Sequence, residues 1–362
     1  VTVPTTPAVV AVACCLLIGG CTGGGSTVQG SAGVGASPGA VPFRGCMVSA
    51  VGGFDDRGLS QQSFAAITTA HEEFEIATVT VETGAAAQVG ADISSLIAQK
   101  CRLVIAIGAA EGPAVQAAAQ ASPETDFVLV DARPVDANGP VVAKNIKPLL
   151  FNSAEPAYLA GYFAAASSTT GKVATFGATQ TPSTMLTMDG FADGVAAYNA
   201  AKGAAVQLLG WSKDTQTGSF TGDLIDEAKG RALTQTFLDA GADVVMPVAG
   251  PVGLGAAAAA RAKGGVKVIW TDSDGVKATD YDDVIVASVV KNAQTAVLQV
   301  LTDAADGTYD PKPIVGSLTS KGVSFVAPTG AAMPAALEDD LDALGKKITE
   351  GQIVLTSPNL TN

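Results

Sequence analysis

Residues 244–275 read VVMPVAGPVGLGAAAAARAKGGVKVIWTDSDG. Two short runs dominated by β-branched and apolar residues, Val244–Pro247 and Val266–Trp270, flank a glycine-rich turn and the Ala-rich segment Ala256–Ala262. A run of that length and composition predicts a buried strand, and alanine is the best helix former. Strand, turn, helix and strand in this order describe one parallel unit with a crossover helix.

The same alternation extends in both directions. Upstream of a bend at Lys147-Pro148 the strand candidates are Met47–Val51, Ile76–Val81, Leu103–Ile107 and Phe127–Val130, with a helix over Leu59–Phe74. Beyond the bend come a helix from about Glu155 to Ser167, a strand at Val173–Phe176, a helix ending near Ala200, and strands at Val206–Leu209 and Val284–Val290. Two such series predict an α/β fold of two doubly wound parallel-sheet lobes, with a ligand crevice at the carboxyl ends of the strands. Ile314–Val326 reads as short strands returning across the hinge, so several crossings join the lobes into a clamshell. The expected division is residues 42–150 with about 289–313 in lobe 1, and 151–288 with about 314–362 in lobe 2.

The chain of 362 residues carries 34 acidic and 21 basic side chains, a net charge of −13. That balance argues against a nucleic-acid partner, whose phosphates need Lys/Arg patches. A single His, His71, removes most metal and acid–base schemes. Phe64, Ile67, His71 and Phe74 recur at helical spacing, which predicts His71 as a half-buried member of a helix face. Neither a P-loop nor a nucleophile elbow occurs in the sequence, and Asp280, Asp282 and Asp283 lack the spacing of a cation loop. The expectation is a binding protein with no catalytic residues, no metal and no cofactor.

The amino-terminal run Ala8–Gly20 is uncharged, too short to span a bilayer, and has the length of a signal-peptide core. Ile18-Gly19-Gly20-Cys21 closes it and resembles the lipobox of bacterial lipoproteins, which implies a signal peptide over 1–20, a lipid on Cys21 and an extracytoplasmic, membrane-anchored protein. The Gly/Ser-rich stretch that follows to residue 41 reads as a flexible tether. Cys46 and Cys101 each head an apolar run, CMVSAVG and CRLVIAIG. On neighbouring strands they would share one end of the sheet and form a disulfide; two buried free thiols are the alternative.

Ligand-binding candidates stand where strands end. After the first strand come Gly52-Gly53-Phe54-Asp55-Asp56, two glycines for a close turn and two carboxylates at a helix start. Either carboxylate serves the helix dipole or accepts hydrogen bonds from a ligand. In the glycine-rich turn that begins at Gly250, Gly253 and Gly255 with Ala258 form G-x-G-x-x-A, followed by Asp272. Backbone N–H groups at such a turn can hold an anion or a ribose hydroxyl. That fingerprint also leaves open a Rossmann-type nicotinamide-dependent oxidoreductase.

Six blocks in order carry a family resemblance: GGFDDRGLSQQSF (Gly52–Phe64), FNSAEPAYLAGYFAA (Phe151–Ala165), PSTMLTMDGFADGV (Pro182–Val195), GSFTGDLIDEAKGRAL (Gly218–Leu233), GADVVMPVAGPVGLG (Gly241–Gly255) and VIWTDSDG (Val268–Gly275), the last followed by ASVVK ending at Lys291. The sequence resembles the basic membrane protein family of substrate-binding lipoproteins of ABC transporters, relatives of the purine nucleoside receptor. The resemblance implies a type I periplasmic-binding clamshell that captures a nucleoside for an ABC permease, or a ligand-sensing receptor on the same scaffold. It also implies roles: Asp55 or Asp56 at the base edge, Phe220 stacked on the base, and Asp272, Lys291 and the Gly250–Gly255 turn on the sugar. Leu59 stands where the family usually has Phe and would pack on the base, and Thr187 replaces another Phe.

Overall fold

A computed structural model of the chain describes residues 42–136, 139, 140, 144–327 and 333–360. The expected signal peptide, Cys21 and the tether lie outside these residues.

The first lobe is built on a parallel sheet of six strands in the order β15-β7-β4-β3-β1-β2: β1 Arg44–Val48, β2 Ala77–Val81, β3 Leu103–Ile107, β4 Asp126–Val130, β7 Ile146–Phe151 and β15 Ile314–Gly316. Two-residue alternation sends Met47, Ile105 and Val128 to one face, where α1 (Leu59–Phe74) and α9 (Ala293–Ala305) cover them. Cys46, Val104 and Phe127 face the other side, under α2 (Val89–Ala98) and α3 (Gly112–Ala121). Between β4 and β7 the short strands β5 (Val135–Asp136) and β6 (Gly139–Pro140) pair with each other.

The second lobe repeats the plan with the order β16-β14-β13-β12-β8-β9, from β8 Lys172–Gly177, β9 Gln207–Leu209, β12 Val244–Val248, β13 Lys267–Asp272, β14 Ile285–Lys291 and β16 Val323–Val326. Among the described residues only β16 of this sheet runs antiparallel to its neighbour; β10 (Trp211–Ser212) and β11 (Thr217–Gly218) form a separate antiparallel pair, and the short helix α8 (Gly275–Ala278) follows β13. Helices α4 (Ala154–Ser167), α5 (Pro182–Lys202) and α10 (Ala335–Thr349) pack on one face, and α6 (Glu227–Asp239) and α7 (Gly253–Lys263) on the other.

Several expectations change. Lys147-Pro148 is not a bend but the middle of β7. The Asn145 carbonyl accepts from Phe127 N–H of β4 and the Leu149 carbonyl from Asp131 N–H just after it, so odd-numbered residues face β4 and Pro148 faces the opposite edge. On that edge β15 begins pairing only at Leu149, so no ladder donor is missed. The lobe boundaries also move. Ile314–Gly316 extends the first sheet and not the second, whereas residues 289–291 stay in β14 of the second. The chain thus crosses between the sheets at Asn152, at Asn292 and between Gly316 and Val323. The crossings bind one another, Asn152 N–H to Gly316 O at 2.8 Å and Asn292 N–H to Gly322 O at 2.9 Å.

His71 is exposed, with Nδ1 3.1 Å from Ile76 O. The buried stripe of α1 is Leu59, Ser60, Ser63, Ala66, Ile67 and Ala70. Small residues on that stripe let α9 lie close, and the larger Phe64 and Phe74 turn outward.

Cys46 and Cys101 are joined in a disulfide across neighbouring β1 and β3. Cys46 is the middle residue of β1 and Cys101 lies two residues before β3, and neither lines the crevice described next.

Candidate ligand cleft

The carboxyl ends of both sheets face a cavity of about 460 Å³ between the lobes. That volume suits a small molecule. Its wall is assembled from the residues that follow each strand, because parallel strands deliver their last residues to one common edge.

After β1 the chain turns through Gly52 and Gly53, both at positive φ, and enters α1. Asp56 organises that entry: Oδ1 accepts from Gly58 N–H at 2.8 Å and Gln61 N–H at 3.0 Å, and Oδ2 from Ser60 N–H at 2.9 Å. Burial pushes the Asp56 carboxyl above its ordinary range, against the pull of those N–H groups. Asp56, Gly58 and Leu59 all stand in the cavity wall.

The densest chemistry surrounds Lys291, at the end of β14. Its Nζ lies 2.8 Å from Asp131 Oδ2, 2.9 Å from Asp272 Oδ1 and 3.1 Å from Ser183 Oγ, with the side chain 4% exposed. Ser183 Oγ donates to Asp131 Oδ2 at 2.8 Å. Asp131 follows β4 in the first lobe, whereas Asp272, Lys291 and Ser183 belong to the second, so the cluster bridges the lobes. Burial alone would lower the Lys291 ammonium, but the Asp131 and Asp272 carboxylates outweigh it and hold the pKa above the ordinary lysine value. Burial pushes Asp131 up, partly opposed by Lys291. One cation between two carboxylates leaves a net negative charge in the wall, an environment for hydrogen-bond donors such as hydroxyls.

Backbone conformation aims these carboxylates. Asp131 and Asp272 adopt φ of 61° and 72°, left-handed values that a non-glycine residue rarely takes. Strand β12 supplies the neighbouring wall and carries Pro247 although it lies between β8 and β13. Lys267 N–H bonds Asp243 O, so odd-numbered residues of β12 face β13. The β12–β13 register covers only Val244 and Val245, and Thr271 Oγ1 donates to the Pro247 carbonyl at 2.9 Å. Pairing therefore stops where the cleft begins, and the missing N–H costs no ladder bond. Further bonds tie the lobes together: Gln62 Nε2 donates to Asp272 O at 2.8 Å, and Ser273 Oγ to Arg57 O at 2.5 Å.

Of the residues expected at the ligand, Asp56, Leu59, Gly250, Asp272 and Lys291 share this cavity. The others stand elsewhere. Asp55 points outward, its side chain 72% exposed and paired with Arg57 at 3.0 Å. Phe220 bridges to Gly177 and sets its ring edge-on to Trp211, so it packs the second lobe. Thr187 Oγ1 bonds Ser183 O and lies 2.6 Å from Ser153 Oγ, outside the wall. Gly253 and Gly255 serve packing: a Cβ on Gly255 would lie 1.9 Å from Glu227 O, and one on Gly253 3.1 Å from the Trp270 ring. The glycine fingerprint is thus largely the contact of α7 with α6 and β13.

Sequence reasoning missed Asp131, Ser183, Leu224 and Glu111. Asp131 and Glu111 closely follow strand runs, FVLV and LVIAI, and the strand-end rule applied to every strand finds them. Ser183 and Leu224 enter only because the second lobe folds over the first.

The family model for PnrA-like ABC transporter substrate-binding proteins matches residues 43–357. Basic membrane protein A of Borreliella burgdorferi is 26% identical over 310 residues, covering 84% of this chain and 86% of that protein. The ABC transporter nucleoside-binding protein BmpA of Lactococcus lactis is 26% identical over 337 residues, 87% of this chain and 89% of that protein. Among solved structures, an ABC transporter solute-binding protein from Aeropyrum pernix superposes with a TM-score of 0.76 at 21% identity, covering 88% of this chain and 94% of that one. One from Conexibacter woesei gives 0.64 at 20% identity, covering 87% and 99%.

Proposed function

Because the chain belongs to the PnrA-like family of ABC transporter substrate-binding proteins, we propose that its ligand is a nucleoside, held between the lobes and delivered to an ABC permease. The observation that carries this reading is the buried cluster of Asp272, Lys291, Asp131 and Ser183 in the cleft wall. Two vicinal hydroxyls donate to the carboxylates, as a ribose edge does, while Lys291, whose three N–H groups are taken by Asp131, Asp272 and Ser183, holds those carboxylates in place. The base lies between Leu59 of the first lobe and Leu224 of the second, in contact with aliphatic side chains in place of aromatic rings. Lobe closure then removes the ligand from water and forms the surface a permease reads. The reading extends to the amino terminus: Cys21 carries the lipid that keeps the protein at the outer face of the cell membrane.

The rival reading, a nicotinamide-dependent oxidoreductase, is disfavoured by Gly253 and Gly255, whose Cα faces are filled by Trp270 and by the Glu227 carbonyl. A thermal-shift panel of nucleosides, free sugars and nicotinamide cofactors tests the choice. Stabilisation by one or more nucleosides is expected, by RT ln(1 + [L]/Kd). Stabilisation by sugars or cofactors alone would overturn it.

A further inference from the structure

Glu111 occupies the turn between β3 and α3, in the cavity wall beside Gly108, Ala109 and Ala110. The residue is 2% exposed. Oε2 accepts from Ile107 N–H at 3.0 Å, and Oε1 is enclosed with no hydrogen-bond partner among the described residues. The other acids of this wall are partnered: Asp56 by three backbone N–H groups, Asp131 by Lys291 and Ser183, and Asp272 by Lys291. Glu111 thus combines a place in the cavity wall with an unmet polar atom that water does not reach. A turn of the side chain into the cavity would present that atom to a ligand, and buried polar atoms otherwise find partners.

We propose that Glu111 is a ligand contact, donating a hydrogen bond from its carboxyl group to an acceptor atom of the ligand, a carbonyl oxygen or ring nitrogen distinct from the hydroxyls held at Lys291. The proposal rests on the reading of the cleft as a nucleoside site, where a base supplies such an acceptor. Burial pushes the Glu111 pKa up to about 8; the Ile107 N–H opposes this and Asp92 of α2 adds to it. At neutral pH the group therefore carries a proton, and since Oε2 is already an acceptor, the proton belongs on Oε1. Asp92 is engaged by Thr83 Oγ1 at 2.7 Å and offers Glu111 no bond. The other charged groups of the cavity are Asp56, Asp131, Asp272 and Lys291, and Lys291 keeps its charge through the alkaline range.

The test is calorimetric titration of the wild type, Glu111→Gln and Glu111→Leu with adenosine, whose base neither gains nor loses a proton from neutral to alkaline pH. Wild-type affinity should stay level up to about pH 8 and fall about tenfold per pH unit above it. Gln keeps both an acceptor for Ile107 and a donor for the ligand, so that variant should bind within a few-fold of wild type at neutral pH with no alkaline fall. Leu removes the donor and should bind about tenfold more weakly than wild type at neutral pH, with no alkaline fall of its own. Wild-type affinity in the Leu variant, or the same alkaline fall in the Gln variant, would overturn the role of Glu111. Failure of the wild type to bind any nucleoside would instead overturn the nucleoside reading, and the base acceptor inferred for Glu111 with it.

Discussion

Lys291 holds together two carboxylates that would otherwise repel each other in a buried wall. Replacing it by Met leaves Asp131 and Asp272 uncompensated, and breaking a buried pair in this way costs about 3–5 kcal/mol. Lys291→Met should therefore lower the urea midpoint sharply at neutral pH and recover part of the loss in acid, where Asp131, already raised by burial, takes up a proton. Equal loss at acidic and neutral pH would contradict that account. Glu111 makes a second prediction in stability. Burial raises its folded pKa to about 8 from an ordinary value of 4.5, so between these the unfolded chain releases a proton that the folded one keeps. Stability contributed by this group is complete below pH 4.5 and is lost as pH rises towards about 8, by at most about 1.4 kcal/mol per pH unit. Glu111→Gln should flatten that window in denaturant titrations, and an unchanged pH slope would count against a protonated Glu111.

At the scale of elements, the strand–helix alternation was legible because buried parallel strands are short uncharged runs, as LVIAI and FVLV show. Strand β7 was not, since Pro148 reads as a breaker until its free edge is known. Nor could β15 be assigned to its sheet, because two short strands on either side of a hinge have no local signature of which lobe they join. The site was half legible. Asp272 and Lys291 end recognisable strands, whereas the outward turn of Asp55 and the packing role of Phe220 depend on tertiary contacts. Close helix contacts make a further prediction. A Cβ at Gly194 on α5 would lie 2.0 Å from the Tyr158 carbonyl on α4, so Gly194→Ala must push the helices apart. Overpacking of this kind costs about 1–3 kcal/mol, to be read as a lower unfolding midpoint. The Cys46–Cys101 bond closes a separation of 55 residues, and its loss should cost about 4 kcal/mol on the chain-entropy model. Unfolding midpoints with and without reductant measure it.

For the molecule as a whole, the net charge of −13 acquires a location. Arg44 is the only charged residue before Asp55, so the acidity belongs to the two lobes. An acidic chain with a net negative cluster in its cleft should repel phosphates, so nucleoside monophosphates are expected to bind at least about tenfold more weakly than the nucleosides. The lobes meet through Asp131 and Lys291, through Gln62 and Asp272, and through Arg57 and Ser273. Ligand hydroxyls at that junction therefore act on both halves of the clamshell at once. The most direct test is calorimetric titration of a nucleoside panel into the wild type and Asp272→Ala. The account predicts saturable one-site binding of at least one nucleoside to the wild type, abolished in a folded Asp272→Ala protein. Undiminished binding in that variant, or no nucleoside heat in the wild type, would contradict it.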